Sequence, residues 1–567
     1  MGTQSLPILT VVAVLVTSIA TVAIGVYGVR LSRTTSDFLV ASRSVGPRWN
    51  AAAISGEYLS AASFLGVAGL IAKYGPDALW YPIGFTAGYL GLLLFVAAPL
   101  RRSGAYTVPD FAEFRLGSRR LRKLAMIVVA VICALYLIPQ FQGAGLTLNI
   151  LLGVPSWVGA AAVGAIVIAN VVGGGMRSIT FVQAFQYWLK LTAVAIPAVA
   201  LIMHFAAADD ELATTAPPTV SERTTVDINT DVIVQVSEPV IVAGERLETG
   251  RHELSAGTTL VLEPGAAVPV VAGAPADNSD WLAPGSGFGG QHPMYQVYSL
   301  ILATFLGTMG LPHVLVRFYT NPNGRAARLT SLAVVGLLSV FYLFPTLLGV
   351  FARLYVPQLL ITGTSDAAVL LLPGSVFSGW GGQLLAAVVA SGAIAAFLST
   401  ASGLLVSIAG VLSTDVLRGR VRDFRVAAVL GGIGPVVLSV ALVSLDLSRT
   451  VGLVFAVAAS TLCPLLVLGI WWRGLTAPGA AAGLLAGGVV SGSAATVAVL
   501  GGFTDDVWGG WPAAVVAYPA AVSVPLSFIV MIMVSKATTH RIPADIGRIF
   551  TRMHAPERLG MGADRAP

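Results

Sequence analysis

Residues 51–65 read AAAISGEYLSAASFL, which places a carboxylic acid inside an apolar run. The surrounding segment, 48–72, is longer than the roughly 20 apolar residues that a helix needs to cross a bilayer. Its polar side chains include Glu57, Tyr58, Ser60 and Ser63. Because glycine weakens a helix by about 1 kcal/mol relative to alanine, Gly56 predicts an interruption at mid-span. Such a break frees backbone carbonyls, which are suitable ligands for a small cation.

The composition of the whole chain assigns it to the membrane. Of its 567 residues, 56% are hydrophobic and 11% are charged, and the mean hydropathy is +0.83. An ordinary soluble domain carries about 25% charged residues. The two cysteines, Cys133 and Cys463, lie in apolar segments, so the sequence predicts neither a disulfide framework nor a zinc site. We expect a polytopic all-α protein that has the lipid bilayer as its partner and needs no resident cofactor.

Thirteen apolar segments follow one another along the chain. They cover about 7–29, 48–72, 77–100, 122–146, 155–173, 181–205, 291–316, 326–353, 376–412, 424–444, 450–472, 477–500 and 511–535. With the amino terminus outside, this odd number places the carboxyl terminus in the cytoplasm. Of the 33 Lys and Arg residues, six lie outside and Lys190 lies within a helix, which leaves 26 in or beside the inside segments. The positive-inside rule supports this orientation in a plasma membrane, so the net charge of +6 does not require a nucleic-acid partner.

One polar region interrupts the series of apolar segments. Residues 206–288 are rich in Gly and Pro and contain DVIVQV, PVIVAG and TTLVLE, short β-branched runs between turn residues. We therefore predict a small β-rich insertion on the extracellular face. It is either a lid or partner site, or a tolerated surface addition.

A second interrupted helix is predicted at residues 305–318, FLGTMGLPHVLVRF, where Gly307, Gly310 and Pro312 cluster. Five apolar segments start at the first break and five more start at the second. Paired interrupted helices at the start of two such halves indicate an inverted-repeat secondary transporter. The predicted organisation is an extra helix and loop (1–47), a first five-helix repeat (48–205), the insertion (206–288), a second five-helix repeat (289–472), two further helices (473–536) and a cytoplasmic tail (537–567).

A pair of hydroxyls stands on one face of the ninth segment. Ala396, Ser399 and Thr400 are spaced i, i+3 and i+4, which brings them together on a helix. The two hydroxyls either complete an oxygen shell begun by the carbonyls of the first break, or bond to carbonyls of their own helix. The spacing alone leaves both interpretations open.

Four stretches together resemble the sodium:solute symporter family, and within it the acetate permease and monocarboxylate branch. They are SGEYLSAASFLG (55–66), GGGMRSITFVQAFQ (173–186), GTMGLPHVLVRFYT (307–320) and FLSTASGLLVSIAGVLSTDVL (397–417). The resemblance runs from about Ser36 to Trp472, without the insertion. It implies the LeuT-like fold, a five-plus-five inverted repeat with one helix before it and two after it.

The resemblance also implies a sodium site. Its ligands are the backbone carbonyls of Ala51, Ile54 and Ala396 and the hydroxyls of Ser399 and Thr400. Five neutral oxygens suit a monovalent cation better than Ca²⁺ or Mg²⁺, which favour carboxylates and water. The transported ion is therefore expected to be Na⁺, with H⁺ as the alternative.

Glu57 has two interpretations. A charged residue at mid-membrane costs at least about 2.5–3.5 kcal/mol, so the carboxyl is neutral, paired or in contact with water. It either carries a proton and affects coupling, or accepts hydrogen bonds from backbone amides that the break frees. One Na⁺ with one monocarboxylate moves no net charge, whereas an added proton would let the membrane potential contribute about 2.3 kcal/mol per 100 mV.

The candidate substrate contacts lie near the two breaks. They are Glu57, Tyr58, Ser60, Ser63, Gln140, Gln142, Thr308 and His313. We expect His313 to pack or form hydrogen bonds rather than relay protons, and we expect no intramembrane Arg to hold an anion. Lys190 lies about nine residues, or ~14 Å, into its helix. It either attracts the anion on the inner path or, as we expect, extends its flexible stem to the cytoplasm.

These features predict a symporter that couples Na⁺ or H⁺ to uptake of a short monocarboxylate such as acetate, propionate or pyruvate. The alternatives are a symporter of a neutral or zwitterionic solute such as an amino acid, and a membrane solute sensor. No G-x-x-x-x-G-K-[ST], H-E-x-x-H or G-x-S-x-G motif occurs, so we do not expect an enzyme. The pattern carries no information on oligomeric state.

Overall fold

The computed structural model describes most of the chain, including the two predicted breaks and the hydroxyl pair. The described residues are 8–29, 41–208, 214–228, 231–242, 245–287, 292–362, 365–417, 420–442, 447–501 and 510–556. Parts of the predicted terminal segments, 1–7, 30–40 and 557–567, lie outside them, as does Ser36.

The protein is a helical bundle with one β-rich insertion. The helices are α1 (Ile8–Val29), α2 (Pro47–Tyr58), α3 (Val67–Tyr74), α4 (Trp80–Gly91), α5 (Ala97–Arg102), α6 (Val108–Leu116), α7 (Arg119–Leu152), α8 (Ser156–Ala208), α9 (Asn278–Leu282), α10 (Pro293–Gly310), α11 (Pro312–Phe318), α12 (Gly324–Tyr355), α13 (Ala368–Val376), α14 (Gly379–Asp415), α15 (Val421–Ala441), α16 (Leu447–Ser460), α17 (Leu462–Trp471), α18 (Ala477–Gly501), α19 (Gly510–Ala517), α20 (Ala520–Ala537) and α21 (Ile546–His554).

Each of the thirteen predicted segments coincides with one of these helices or with a broken pair of them. Within the described residues, ten helices are long and apolar enough to cross a membrane, or eleven when the bent pair α10–α11 counts as one span. The number is lower than thirteen because some neighbouring predicted segments are joined and count as one span. Two predicted segments are joined in α8, where Gly175 turns the chain with φ 57° and ψ −162°, a conformation that favours glycine. The helical membrane architecture is confirmed.

The first break lies three residues after the predicted position. Helix α2 continues through Gly56 to Tyr58, and the non-helical residues are Leu59, with φ −71° and ψ 83°, and Ser60. The chain is helical again from Ala61 through a widened turn to α3. Gly56 has another role, because a Cβ there would overlap the backbone carbonyl oxygen of Gln183. The glycine permits close approach of α2 and α8 and does not itself break the helix.

The second break is confirmed at its predicted position. Helix α10 ends at Gly310, Leu311 is extended, and α11 begins at Pro312. The axes of the two helices are bent by 43°. Proline lacks the amide that would continue the helix and disfavours helical geometry in the residue before it, which accounts for the break.

Within its described residues, the insertion contains the three predicted strands and four more. The strands are β1 (Thr224–Asp227), β2 (Val232–Val236), β3 (Val240–Val242), β4 (Glu245–Leu247), β5 (Gly250–Leu254), β6 (Thr259–Leu262) and β7 (Val270–Val271). They form a four-stranded sheet in the order β1-β6-β3-β4 and a three-stranded sheet in the order β5-β2-β7. All the pairings are antiparallel, and buried Val and Leu side chains between the strands form a separate small core. The β-rich insertion is confirmed.

The packing of the bundle brings the first break to its centre. Helix α2 packs against α8 and α12, and α14 packs against α7 and α8. Helix α10, which leads to the second break, packs against α4 and α16. The end of α2 therefore lies beside α8 and α14, and α11 packs against α14, α2 and α7.

Candidate functional site

The hydroxyl pair of α14 meets the end of α2. Thr400 donates from Oγ1 to the backbone carbonyl of Glu57 over 2.5 Å. Ser399 donates from Oγ to the carbonyl of Ala396, in its own helix, over 3.1 Å. Both hydroxyls are buried. The two hydroxyls of the predicted ligand set thus lie near the carbonyls at the end of α2, Thr400 directly and Ser399 through Lys190.

The other two predicted ligands lie farther back in α2. Ala51 and Ile54 are buried, but they precede the end of the helix by seven and four residues. At such positions, a helical carbonyl normally accepts the amide four residues later. The carbonyls that receive bonds from other helices belong instead to Gly56, Glu57 and Leu59.

Lys190 points into this cluster and not toward an aqueous surface. Its side chain is completely buried. The Nζ atom donates to the carbonyl of Gly56, to the carbonyl of Leu59 over 2.7 Å and to Oγ of Ser399 over 2.8 Å. The expectation that Lys190 extends to the cytoplasm is wrong, because unpaired carbonyls at the break provide partners within its reach.

Arg317 pairs with Glu57 inside the protein. Both side chains are buried, and Nε of Arg317 lies 2.5 Å from Oε2 of Glu57. The same guanidinium donates to Oγ1 of Thr180 over 2.7 Å and to Oε1 of Gln183. We expected no such arginine, because Arg317 follows an apolar run and was counted among the cytoplasmic flanking charges. The short helix α11 instead turns it inward, where it is the principal partner of Glu57.

Predicted polar side chains surround the two breaks. The Tyr58 hydroxyl lies 2.8 Å from Oγ1 of Thr308 and donates to the carbonyl of Phe85 over 3.1 Å. Ser63 is hydrogen-bonded to the hydroxyl of Tyr342 over 2.8 Å. The Tyr58–Thr308 contact directly links the first broken helix with the second.

A second set of contacts joins α7 to the same region. The amide of Ala61, just after the first break, donates to Oε1 of Gln140 over 3.2 Å. One turn earlier in α7, Tyr136 lies 3.4 Å from Oγ of Ser60, and its ring contacts that of His313 edge-on at 5.4 Å. The structure therefore gathers Ser60, Gln140 and His313.

Several buried polar atoms in this region have no hydrogen-bond partner in the described part of the chain. They are both ring nitrogens of His313, Nε2 of Gln140, the hydroxyl of Tyr89 and Oε1 of Glu57. Buried polar groups normally have partners, so these atoms are candidates for contact with a ligand or water. The unpaired His313 nitrogens make no proton-relay contact with a described residue.

Gln142 is not part of this cluster. It is half-buried and donates to the carbonyl of Leu442, away from the breaks, over 3.2 Å. Two residues along a helix correspond to about 200° of rotation, so Gln140 and Gln142 face nearly opposite directions.

Sequence reasoning missed four contributors, namely Arg317, Tyr89, Tyr136 and Gln183. Two of them had a usable signal. Arg317 stands four residues after His313, and Tyr136 stands four residues before Gln140, so each shares a helix face with a predicted residue. In the described residues, no group of three or more His, Cys, Asp or Glu side chains is suited to a metal ion.

Comparison with known proteins identifies the family to which the chain belongs. The sequence pattern of the sodium:solute symporter family matches residues 38–487. The chain is 29% identical over 528 residues to the uncharacterized symporter YwcA of Bacillus subtilis, covering 90% of each chain. It is also 29% identical over 587 residues to the monocarboxylic acid transporter of Corynebacterium glutamicum, covering 99% of this chain and 96% of that protein.

Two solved structures share the fold. A Na⁺-coupled sialic acid symporter in a substrate-bound outward-open state matches with a TM-score of 0.60 and 13% identity, covering 93% of this chain and 98% of its own. Mhp1, a nucleobase-cation-symport-1 family transporter, matches in a closed conformation with a TM-score of 0.50 and 14% identity, covering 91% and 98%. The predicted LeuT-like fold is confirmed, and the chain belongs to the sodium:solute symporter family.

Proposed function

We propose that this protein is a secondary active symporter that couples inward movement of Na⁺ or H⁺ to uptake of a short monocarboxylate, such as acetate, propionate or pyruvate. Cation-coupled symport follows from the family, and the transporter relatives give no reason to propose an enzymatic activity. We place the protein in the plasma membrane, with its amino terminus outside and its carboxyl terminus in the cytoplasm.

The contacts of Lys190, Arg317 and Glu57 in the buried cluster are the observation that supports an anionic substrate. Lys190 donates to three oxygen atoms, which matches the three N–H groups of a charged ammonium. Arg317 adds a second positive charge, and Glu57 is the carboxylate that pairs with it. With Lys190 charged, as we propose, the cluster carries one positive charge in excess. A monoanion would neutralise it, and attraction between opposite charges is strong in a low-dielectric interior.

The unpaired buried donors are suited to a carboxylate. Nε2 of Gln140 and the hydroxyl of Tyr89 have N–H or O–H groups to give, and His313 carries an N–H on one ring nitrogen. A carboxylate has two oxygens that accept several hydrogen bonds. Each bond to a charged group contributes about 1.5–3 kcal/mol, so two or three donors would hold a small acid effectively.

Aromatic side chains pack beside these donors, and their apolar surfaces favour a short acyl chain. Tyr58 contacts the rings of Tyr89 and Phe455 edge-on, with centroids 4.9 and 6.2 Å apart. Phe85 lies 4.8 Å from Phe455, and Tyr136 closes the same aromatic group at 6.0 Å. Tight aromatic packing of this kind leaves little room for a long or polar chain. The name of the Corynebacterium glutamicum relative, a monocarboxylic acid transporter, points to the same substrate class.

For the cation, we propose the carbonyls of Ala51, Ile54 and Ala396 together with the hydroxyls of Ser399 and Thr400. The close approach of Ser399 and Thr400 to the end of α2 supports two of these five ligands. For Ala51 and Ile54 to contribute, the last turns of α2 would have to open further than they do in this conformation. Neutral oxygens of this kind suit Na⁺, and H⁺ remains the alternative ion.

A zwitterionic amino acid is the second candidate substrate. Its ammonium would add a positive charge beside Lys190 and Arg317, whereas the cluster already has a positive excess. The charge balance therefore favours a monocarboxylate over an amino acid. A solute sensor would bind ligand without moving it, and the transport experiment separates this alternative as well.

Uptake into proteoliposomes tests the proposal. Labelled acetate, pyruvate and proline are compared, with Na⁺ and pH gradients imposed separately. We expect accumulation of acetate or pyruvate, exchange of labelled substrate by counterflow, and no accumulation of proline. The Ser399→Ala, Thr400→Ala double variant should keep its fold and lose ion-driven accumulation. Retention of accumulation by that variant would contradict the cation site, and binding without flux would favour a sensor.

A further inference from the structure

Lys190 occupies a position that has the composition of a cation site. Its Nζ is held by two backbone carbonyls, those of Gly56 and Leu59, and by the hydroxyl of Ser399. These are the same kinds of ligand, from the same two helices, that the proposed sodium site uses. Carbonyls of an unwound helix are well suited to a small cation, and here an ammonium is bound to them.

No carboxylate is among the hydrogen-bond acceptors that the structure gives to the Lys190 ammonium. Its three acceptors are neutral oxygens. The buried charged groups at the ends of the two broken helices, Glu57 on α2 and Arg317 on α11, pair with each other. The ammonium is therefore stabilised as a bound ion is, by oriented dipoles, and not by a salt bridge of its own.

Ser399 connects this position to the proposed ion site. Its hydroxyl accepts from Lys190 and is also one of the proposed ligands of the transported cation. A cation bound to the same oxygen would lie within a few ångströms of the ammonium. Like charges at such a separation repel strongly in a buried environment. The two cannot share Ser399 while Lys190 is in the position described.

We propose that Lys190 is a built-in occupant of the cation site, and that its ammonium and the transported Na⁺ bind to Ser399 in turn and not together. This inference rests on the proposed symport function. In the state described, Lys190 ties α8 to the end of α2 and to α14. Entry of Na⁺ breaks the bond to Ser399 and loosens that tie, which links ion binding to movement of α8 relative to the broken helix.

The test measures Na⁺ binding without substrate. Purified protein in detergent is titrated with NaCl at constant ionic strength, with choline chloride as the balancing salt, and the rise in apparent melting temperature is recorded. In Lys190→Met, the half-saturating Na⁺ concentration should fall at least tenfold relative to wild type. Lys190→Gln keeps N–H donors for the carbonyls but removes the charge, and should show the same fall.

Two further variants separate competition from a general structural effect. Lys190→Arg retains the positive charge and should keep a half-saturating concentration close to that of wild type. Adding Ser399→Ala to Lys190→Met should reverse the gain by about tenfold. Lys123→Met, a substitution at an exposed lysine on α7, is the matched control and should leave the titration unchanged.

Two results would overturn the proposal. A half-saturating Na⁺ concentration that stays within twofold of wild type, or rises, in both neutral variants overturns the proposal, as does the absence of any Na⁺ response in all the proteins. Monocarboxylate counterflow is measured on the same preparations. If wild type fails to exchange monocarboxylates but Lys190→Met gains Na⁺ affinity, the substrate assignment is wrong and the inference about Lys190 stands.

Discussion

Arg317 and Glu57 join the two interrupted helices of the bundle. Glu57 lies one residue before the end of α2, and Arg317 lies one residue before the end of α11, with Nε and Oε2 2.5 Å apart. The guanidinium also donates to Thr180 and Gln183 on α8. One buried ion pair thus holds together the three elements that border the candidate site.

The first prediction concerns removal of one partner of this pair. Glu57→Gln leaves the Arg317 charge buried without compensation, and such a loss costs about 3–5 kcal/mol of stability. We expect the apparent melting temperature of the purified protein to fall clearly. In the double variant Glu57→Gln, Arg317→Met, part of that stability should return, because no unpaired charge is left.

Glu113→Gln is the control for this prediction. Glu113 lies 2.6 Å from Arg122, but its side chain is 28% exposed. Partly exposed ion pairs contribute about 0–1 kcal/mol, so the control should unfold close to the wild-type temperature. Equal effects at Glu57 and Glu113 would mean that the Glu57–Arg317 pair is not a special support of the site.

A second prediction follows from the close approach of α2 and α8. In Gly56→Ala, the added methyl group overlaps the carbonyl oxygen of Gln183, which belongs to a backbone that cannot move freely. Overpacking of this kind costs about 1–3 kcal/mol. We expect reduced thermal stability and, because Gly56 also supplies a carbonyl at the break, reduced uptake.

The control for Gly56 is a glycine in open space. Gly336 lies in α12, and a Cβ built there meets no atom within 4 Å. Gly336→Ala should therefore be neutral, or stabilising by up to about 1 kcal/mol because alanine favours helix. If Gly56→Ala were as well tolerated as Gly336→Ala, the helix contact described at Gln183 would be incorrect.

The fold could be predicted from the sequence because the membrane imposes simple length and charge rules. Runs of apolar residues located the helices of the described part of the chain, although two predicted segments are joined in α8, and the proline of GLPH located the second break. The first break was misplaced because Gly56 has two possible roles. A glycine in a helix either weakens it or lets a neighbour approach, and only the position of Gln183 on α8 shows that the second role applies.

The site could be predicted only in part, because the sequence indicates how far along a helix a residue lies but not which way its side chain points. The sequence indicated correctly that Lys190 lies far inside the span. It did not indicate that the side chain points toward the carbonyls at the end of α2. Arg317 followed an apolar run, as cytoplasmic flanking charges do, and only the 43° bend at Leu311 accounts for its inward position. Ser399 and Thr400 were predicted as ion ligands from the family resemblance, because their spacing alone left both interpretations open.

A third prediction concerns the unpaired hydroxyl of Tyr89. It is buried and has no hydrogen-bond partner in the part of the chain that the structure describes. Removing an unsatisfied buried hydroxyl is nearly neutral or stabilising, so Tyr89→Phe should not lower the melting temperature. If the hydroxyl binds the substrate carboxylate, its loss should raise the half-saturating monocarboxylate concentration about 10- to 100-fold.

The matched substitution is Tyr27→Phe on α1, where the side chain is exposed. It should change neither stability nor uptake. A rise in half-saturating concentration for Tyr89→Phe, with stability retained, would support a substrate contact. Unchanged uptake kinetics would remove Tyr89 from the substrate site, and a lower melting temperature would show that its hydroxyl has a structural role.

The last prediction concerns how the insertion is attached to the bundle. The indole of Trp281, on α9, donates to the carbonyl of Ile71 over 2.8 Å, and the guanidinium of Arg353 lies over its ring at 5.0 Å. Arg353 also donates to the carbonyl of Ala72 over 3.0 Å. Helix α9 is therefore fastened to the last turns of α3, the second half of the first broken helix.

Trp281→Ala should release this attachment. Truncating a buried tryptophan costs about 3–5 kcal/mol, and here the loss falls on the contact between the insertion and α3. We expect trypsin to cleave the insertion faster at Arg223 or Arg246, whose side chains are exposed in the native protein. Trp380→Ala, at an exposed position on α14, is the control and should be cleaved at the wild-type rate. Equal cleavage rates in the two variants would mean that Trp281 does not anchor the insertion, and that its attachment depends on the remaining contacts of α9.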